Sequence, residues 1–178
     1  MSTTSNTVAI PADDLRRNLV VRNPNNSDAQ HLGVVGDTYT ILLSGMDTAG
    51  RFTLIDMHVP PGSGPPAHRH DFEETFILLD GELQPTFRGE KHIVRAGETI
   101  HIPANAPHQF HNASSQPVRM LCICSPAGQE EFFKELGTVV AARITPPPGV
   151  DRAQGVAFIE KAMELAPKYR TELLKEAK

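Results

Sequence analysis

The chain has 178 residues, a formal net charge of −4 and two cysteines. This length fits one domain, which buries roughly 70% of its unfolded surface and needs no disulfide bridges. Acidic and basic residues are dispersed without a basic stripe, which argues against a nucleic-acid partner. The opening MSTTSNTVAIPADD has neither a basic start nor a long apolar run, and no segment reaches membrane-spanning length. We therefore expect a cytoplasmic protein without a membrane partner.

The chain divides into three predicted zones: an N-terminal arm over residues 1–36, a β-rich domain over 37–127 and a helical extension over 128–178. The arm is polar, and we expect it to add one strand at most. In the second zone, short β-rich runs are separated by glycine and proline, which is typical of an antiparallel sandwich or barrel. The predicted strands are Thr38–Leu43, Phe52–Val59, Thr75–Leu79, Glu82–Phe87, His92–Arg95, Thr99–Ile102, His108–Asn112 and Val118–Cys124.

The third zone is predicted to be helical. An amphipathic pattern over 128–136 ends at Gly137, a typical helix stop. A proline-rich linker over 146–149 precedes a second apolar pattern over 155–178, which Pro167 divides into two predicted helices. The apolar face of this tail must be buried, either on its own barrel or in a dimer interface.

The segment GSGPPAHRHDFEE places two histidines and a glutamate on one side of an extended chain. His68, His70 and Glu74 share one parity, and alternate side chains of a strand point to the same face. Two imidazoles and a carboxylate therefore project together, with His108 available as a fourth ligand from a later strand. Glu73 has the opposite parity and is expected to point away. This spacing predicts a metal site.

The same face continues into an apolar wall. Phe76 and Leu78 follow Glu74 with the same parity, and Met57 and Phe110 are candidates from other strands. A metal site beside an apolar cavity suits a small organic ligand. We predict that Met57, Phe76, Leu78 and Phe110 contact the substrate.

Other chemically capable side chains are expected to have lesser roles. Asp71 and Glu73 are either contacts to the ligand histidines or surface charges. Cys122 and Cys124 share a strand face, and because a bridge between such near neighbours is strained, we expect reduced, buried and inert thiols. The remaining histidines are interpreted as surface or structural residues: His31, His58, His92, His101 and His111.

Two segments, over 62–81 and 97–112, resemble the two signature motifs of the cupins. One departure is Asn105, which stands where cupins usually have a glycine, and asparagine tolerates a left-handed backbone. The resemblance implies an all-β fold, the double-stranded β-helix or jelly-roll barrel of cupins, with an N-terminal arm and C-terminal α-helices. It also implies that one divalent ion is held by His68, His70, Glu74 and His108.

The four implied ligands do not determine which divalent ion is bound. Three imidazoles and one carboxylate leave two positions of an octahedron open, which suits Fe(II), Mn(II), Ni(II) or Co(II) better than zinc. The chain is most similar to the quercetinase-like cupins, in its proline-rich lead-in over 60–66, in Phe110 after His108 and in the exit over 125–128. That resemblance implies a dioxygenase that opens an enolic, phenolic or flavonol-like compound with dioxygen. Glu74 would be both ligand and catalytic base.

Two other functions remain open from the sequence. One is a metal-containing cupin that binds or senses a small molecule without turnover. The other is a non-oxidative metalloenzyme, an isomerase or decarboxylase that uses the ion as a Lewis acid. An apolar pocket favours the dioxygenase, whereas a sugar isomerase needs more polar groups. Because single-barrel cupins commonly dimerise, we expect a homodimer.

Overall fold

The computed structural model describes residues 9–26, 29–34, 36–145, 149 and 152–174. The start of the predicted arm and most of the predicted proline-rich linker over 146–149 lie outside these residues. The strands are β1 (His31–Val34), β2 (Asp37–Leu43), β3 (Thr53–Val59), β4 (His68–His70), β5 (Glu73–Asp80), β6 (Glu82–Phe87), β7 (Glu90–Lys91), β8 (Val94–Arg95), β9 (Thr99–Ile102), β10 (His108–His111), β11 (Val118–Ser125), β12 (Thr138–Val139) and β13 (Thr171–Leu173). The helices are α1 (Gly45–Thr48), α2 (Gln129–Leu136) and α3 (Arg152–Leu165).

The strands form two antiparallel sheets. One sheet has the order β12-β1-β2-β3-β11-β5-β9, and the other has the order β13-β4-β10-β6-β7, with β8 paired to β6. From β4 to β11, the main strands alternate between the sheets, so neighbours in sequence face each other across the core. The predicted all-β fold, a jelly-roll barrel, is confirmed. No helix among the described residues has the length and apolar character needed to cross a membrane.

The core lies between the sheets and follows the alternation of strand side chains. Along β11, Val118, Met120, Cys122 and Cys124 are fully buried, while the residues between them are partly exposed. The same alternation along β5 buries Glu74, Phe76 and Leu78. The faces that carry the predicted ligands and the predicted apolar wall therefore point into the barrel.

Helix α2 is fixed to the barrel by a buried carboxylate. Glu130 accepts hydrogen bonds from the Thr53 hydroxyl, from the backbone N–H of Gly45 at 2.6 Å and from that of Gly128 at 2.9 Å. Burial raises the pKa of Glu130, but these hydrogen bonds outweigh it and lower the pKa below its ordinary value. The start of α2 is thereby held against the β2–β3 connection.

The C-terminal segment differs from the prediction. Helix α3 and a 3₁₀ turn at Ala166–Tyr169 occupy the predicted helical region, but the predicted helix after Pro167 is wrong. Thr171–Leu173 forms β13, which pairs with β4 so that Thr171 faces His70 and Leu173 faces His68. Pairing with an open sheet edge satisfies backbone groups that a short terminal helix would leave to solvent.

Smaller differences concern the arm and the middle of the barrel. Strand β1 is the one strand expected from the arm, and it pairs with β2. The predicted strand His92–Arg95 is replaced by β7 and β8, which both pair with β6. Gly137 does end α2, but its backbone is extended rather than left-handed. Its small size is needed because a Cβ there would come within 2.8 Å of the Phe133 carbonyl oxygen.

Candidate metal centre

Four predicted ligands converge because the chain passes from one sheet to the other between them. His68 and His70 lie on β4, and His108 lies opposite His68 on β10 of the same sheet. After β4, the chain crosses to β5 of the facing sheet, where Glu74 projects into the barrel. One nitrogen or oxygen atom from each of the four side chains lies within 4.8 Å of the others.

The lead-in before β4 packs directly on β10. A Cβ on Gly64, whose φ is +143°, would overlap the backbone carbonyl oxygen of Phe110, so this position requires glycine. The Gly62 N–H donates to the Asn112 carbonyl at 2.8 Å, and the Asn112 N–H donates to the Ser63 carbonyl at 2.9 Å. These contacts hold β4 beside the strand that supplies the third histidine.

Each ligand histidine is oriented by a backbone carbonyl. The Nδ1 atoms of His68, His70 and His108 lie 2.8–2.9 Å from carbonyl oxygens, those of Pro66, Phe72 and Ala106 respectively. A carbonyl only accepts hydrogen bonds, so each Nδ1 carries the proton. In the neutral ring, Nε2 then keeps its lone pair, which is the arrangement that metal-binding histidines require.

The distances inside the cluster fit a shared cation. Oε2 of Glu74 lies 3.2 Å from Nε2 of His70 and 3.1 Å from Nε2 of His108. Adjacent ligands of one octahedral ion, with bonds of about 2.1 Å, are separated by about 3.0 Å. The donor set and its spacing therefore fit a divalent transition ion held by three nitrogens and one oxygen.

The protonation states suit the same purpose. Burial, followed by the neighbouring His108, lowers the pKa of His68 to about 4. Burial raises the pKa of Glu74, but its contacts with His108 and His70 outweigh that effect and lower the pKa. Glu74 is therefore anionic and His68 neutral at pH 7, so both have lone pairs available to a cation.

Two thiols lie behind the carboxylate. Cys122 Sγ is 3.3 Å and Cys124 Sγ 3.8 Å from Oε1 of Glu74, and the two sulfurs are 3.6 Å apart. Both cysteines are free and buried, and burial is the largest cause of the raised pKa of the Cys122 thiol. The protonated thiols donate to one carboxylate oxygen, and the other oxygen faces the imidazoles.

The cluster opens onto an apolar cavity of about 60 Å³. His68 and Glu74 form part of its wall, and the barrel contributes Met57, Phe76 and Phe110. The C-terminal half of the chain supplies much of the remaining wall: Phe132, Phe133 and Leu136 from α2 and Phe158, Ile159 and Ala162 from α3. Metal ligands thus meet an aromatic and aliphatic chamber, which suits an apolar ligand with one polar end.

Residues 55–124 match the Cupin domain family model, and this range contains Glu74 and all three histidines of the cluster. The protein contains a cupin domain.

Relatives of this cupin differ in length and function. An uncharacterized protein of Methanocaldococcus jannaschii is 35% identical over 80 residues, which cover 44% of this chain and 64% of that protein. Quercetin 2,3-dioxygenase of Bacillus subtilis is 28% identical over 109 residues, which cover 61% of this chain and 32% of the enzyme. The cupin thus spans less than two thirds of the length of either relative.

Solved structures support the fold. The polyketide cyclase RemF from Streptomyces resistomycificus superposes with a TM-score of 0.52 at 21% identity, covering 75% of this chain and 89% of RemF. At this identity the likeness shows the shared cupin barrel alone.

Sequence reasoning located part of the cupin's cavity. Of the four residues predicted to contact substrate, Met57, Phe76 and Phe110 line the cavity, whereas Leu78 is buried in the barrel core and is not part of the lining. Most of the cavity-wall residues that the sequence did not predict lie on α2 and α3, and others come from β1, β2, the lead-in before β4 and β13: Val34, Tyr39, Pro65, Pro66, Gln129, Phe132, Phe133, Leu136, Phe158, Ile159, Ala162, Thr171 and Leu173. Phe132 and Phe133 could have been predicted to line a cavity, because the apolar side of an amphipathic helix packs against the protein core.

The two acidic neighbours of the cluster do not contact the ligand histidines through any described hydrogen bond. Glu73 is exposed and pairs with His101, with 3.0 Å between Oε2 and Nε2. Asp71 pairs with Arg170 at 3.0 Å and accepts a hydrogen bond from the Asn105 amide at 3.4 Å. Both are surface charges in this cupin. Asn105 has a φ of 67°, the left-handed backbone expected at the position where it replaces glycine.

Proposed function

We propose that this cupin is a metal-dependent dioxygenase that acts on an enolic, phenolic or flavonol-like small molecule. The observation that carries the proposal is the position of an anionic, histidine-flanked carboxylate in the wall of an otherwise apolar, aromatic cavity. The similarity to quercetin 2,3-dioxygenase supports the same class of reaction.

His68, His70, Glu74 and His108 would hold one ion. We infer Fe(II), Mn(II), Ni(II) or Co(II) rather than zinc, because three imidazoles and a carboxylate leave positions for further ligands in an octahedron. When bound, such an ion polarises a substrate oxygen and couples oxidation of the substrate to dioxygen.

The protein's own groups have separate tasks. Glu74 would accept the proton of the substrate hydroxyl, and because the pKa of Glu74 is lowered, this transfer would need a hydroxyl whose own pKa is lowered, which a bound ion would supply. Phe76 and Phe110, whose rings meet edge to face with centroids 5.5 Å apart, form an apolar corner against which an aromatic ring can pack. Helices α2 and α3 exclude water from the reacting atoms.

The size of the cavity adds a condition. A dry cavity that binds benzene has a volume of about 150 Å³, and the cavity of this cupin is smaller, at about 60 Å³. A flavonol is larger than this cavity, so its binding would require the cavity wall, which includes α3, to move. The small volume of the cavity also favours the second candidate, a cupin that binds a small ligand without turnover.

Metal analysis followed by oxygen uptake tests the proposal. Protein purified without chelator should contain about one Fe, Mn, Ni or Co per chain by elemental mass spectrometry, and His108→Ala should lose it. Reloaded protein should consume dioxygen with quercetin or 3-hydroxyflavone. Metal binding without oxygen uptake for any enolic substrate would support the binding protein instead. Absence of metal, or zinc unaffected by His108→Ala, would overturn the metal centre.

A further inference from the structure

Gln129 is a buried polar residue whose side-chain Oε1 finds no hydrogen-bond partner in the described part of the chain. It is the first residue of α2 and is 6% exposed, and its Oε1 atom has no partner among the described protein atoms. An unsatisfied buried amide destabilises a folded protein, so its presence needs an explanation.

Asn112, another buried carboxamide, shows what a structural amide looks like in this fold. Its Nδ2 donates to the carbonyls of Val59 and Gln116 at 3.0 and 2.8 Å, and its Oδ1 accepts from the backbone N–H of Ser114 at 3.0 Å. Asn112 thereby ties two loops together. In contrast, Oε1 of Gln129 accepts no hydrogen bond from any described residue.

The amide of Gln129 belongs to the wall of the metal-centre cavity. Gln129 lines this cavity together with His68, Glu74 and the aromatic residues of α2 and α3, and it also lines an outer cleft beside Lys168 and Tyr169. Its backbone position is fixed, because the neighbouring Glu130 is bonded to Thr53 and Gly45 of the barrel. An amide carried on an anchored backbone and lining an apolar chamber is suited to orienting a ligand.

We propose that Gln129 is a ligand-binding residue that recognises a second polar group on the substrate. The substrate is then an aromatic compound with one oxygen at the metal centre and a separate hydroxyl or carbonyl group that pairs with the Gln129 amide. This inference rests on the proposed function for the position of the first oxygen. A carboxamide donates and accepts, so it selects a neutral polar group.

Stability without ligand gives a first test. Gln129→Leu replaces the amide by an apolar group of similar size, so we expect the melting temperature of the ligand-free protein to rise by a few degrees. Asn112→Leu is the matched control and should lower it, because it removes satisfied hydrogen bonds. A lower melting temperature for Gln129→Leu would mean that the fold already satisfies this amide, and would overturn the inference.

Ligand binding gives the second test. Quercetin carries several ring hydroxyls that 3-hydroxyflavone lacks, while both carry the oxygens for the metal centre. Titration of Co(II)-loaded protein without dioxygen should show that Gln129→Leu weakens quercetin binding roughly tenfold, the effect of one buried hydrogen bond, and leaves 3-hydroxyflavone binding unchanged. Equal effects on both compounds, or no effect on quercetin, would overturn the role of Gln129.

The two tests separate this inference from the proposed function. If wild-type protein binds neither flavonol, the proposed function fails, and the melting temperature of Gln129→Leu still decides whether the amide is unsatisfied. If both flavonols bind and Gln129→Leu discriminates between them without losing metal, both proposals are supported.

Discussion

Cys122 and Glu74 are joined across two neighbouring strands, with Sγ of the thiol 3.3 Å from Oε1 of the carboxylate. The other oxygen of the same carboxylate faces the imidazoles of His70 and His108. The thiol therefore fixes which oxygen is offered to a cation. Groups that hold a metal ligand in this way commonly affect metal affinity as much as some ligands do.

Replacement of Cys122 tests this orientation. Cys122→Val removes the donor to Oε1, and we expect metal affinity to fall by about tenfold or more, as for other lost partners of metal ligands. Cys122→Ser keeps a donor and should retain most of the affinity. Competition with a chromophoric chelator measures both. Cys124→Val is the comparison: its thiol donates to the same oxygen over a longer distance, 3.8 Å, so we expect a smaller loss, and an effect larger than that of Cys122→Val would contradict the assignment.

The adjacent glutamates should respond differently to the same substitution. Glu74→Gln removes the anionic ligand, so purified protein should lose its bound metal. Glu73→Gln affects only an exposed contact to His101 and should leave the metal content unchanged. Elemental mass spectrometry of the two variants, prepared in parallel, measures the difference. Equal loss in both variants would contradict the side-chain parity on which the site is based.

Asp37 should make stability depend on pH. Burial raises the pKa of its carboxyl to about 7, although hydrogen bonds from Ser63 and Tyr39 oppose the shift. Between about pH 4 and pH 7, the unfolded chain has released this proton while the folded chain keeps it, so raising the pH favours unfolding. The free energy of unfolding should fall by about 4 kcal/mol across this window.

Denaturant titrations of wild type and Asp37→Asn at several pH values measure this effect. The amide cannot ionise, so the difference between the two proteins should change between pH 4 and pH 7 and become constant above pH 7. A constant difference across the whole range would show that Asp37 keeps an ordinary pKa in the folded protein.

Glu135 should control movement of the C-terminal segment. Its carboxylate accepts hydrogen bonds from Lys168, at 2.6 Å, and from the Tyr169 hydroxyl, so it connects α2 to the turn after α3. Glu135→Gln should speed hydrogen exchange of the amides in α3 and β13 and raise the association rate of a flavonol. Glu131→Gln is the control, because Glu131 pairs with Lys134 inside α2. Identical exchange in both variants would contradict a restraining role for Glu135.

The N-terminal arm should contribute to a homodimer. Ile10, Leu15 and Leu19 are each more than 85% exposed, although burial of apolar side chains lowers the free energy of the protein. A second copy of the chain would cover them. We expect a dimer in sedimentation velocity and a monomer for the Leu15→Asp, Leu19→Asp double variant. A wild-type monomer at micromolar concentration would exclude this role for the arm.

The side-chain alternation of strands made the ligand cluster predictable. His68 and His70 share a strand, and Glu74 keeps their parity although Asp71 and Phe72 interrupt the strand, because the chain crosses between facing sheets at that point. Glu73 could be separated from Glu74 for the same reason. The alternation of inward and outward side chains thus continues from β4 into β5, because the barrel interior stays on the same side of the chain.

Long-range packing was not predictable in this way. The sequence predicted a helix that contains Leu173. Its segment is a strand because it pairs with the open edge of β4, about a hundred residues earlier in the chain. Leu78 points to the same face of β5 as the cavity residue Phe76, but it lies in the barrel core. Its distance from the cavity depends on the packing of the facing sheet, which the sequence does not show. The place of Gln129 in the cavity wall was not predictable either, because the apolar faces of α2 and α3 gave no indication of which end of the barrel they cover.

The pairing of β13 with β4 also orders events during synthesis. A ribosome adds about 5–20 residues per second, so several seconds pass between the emergence of His68 and that of Leu173. The four residues of the candidate metal centre have therefore all emerged while the sheet edge beside them is still unpaired and α3 is not yet part of the cavity wall. We expect metal loading to be fastest on this nascent barrel. Slow metal uptake by the finished, metal-free protein would then reflect the later packing of α3 and β13 beside the site.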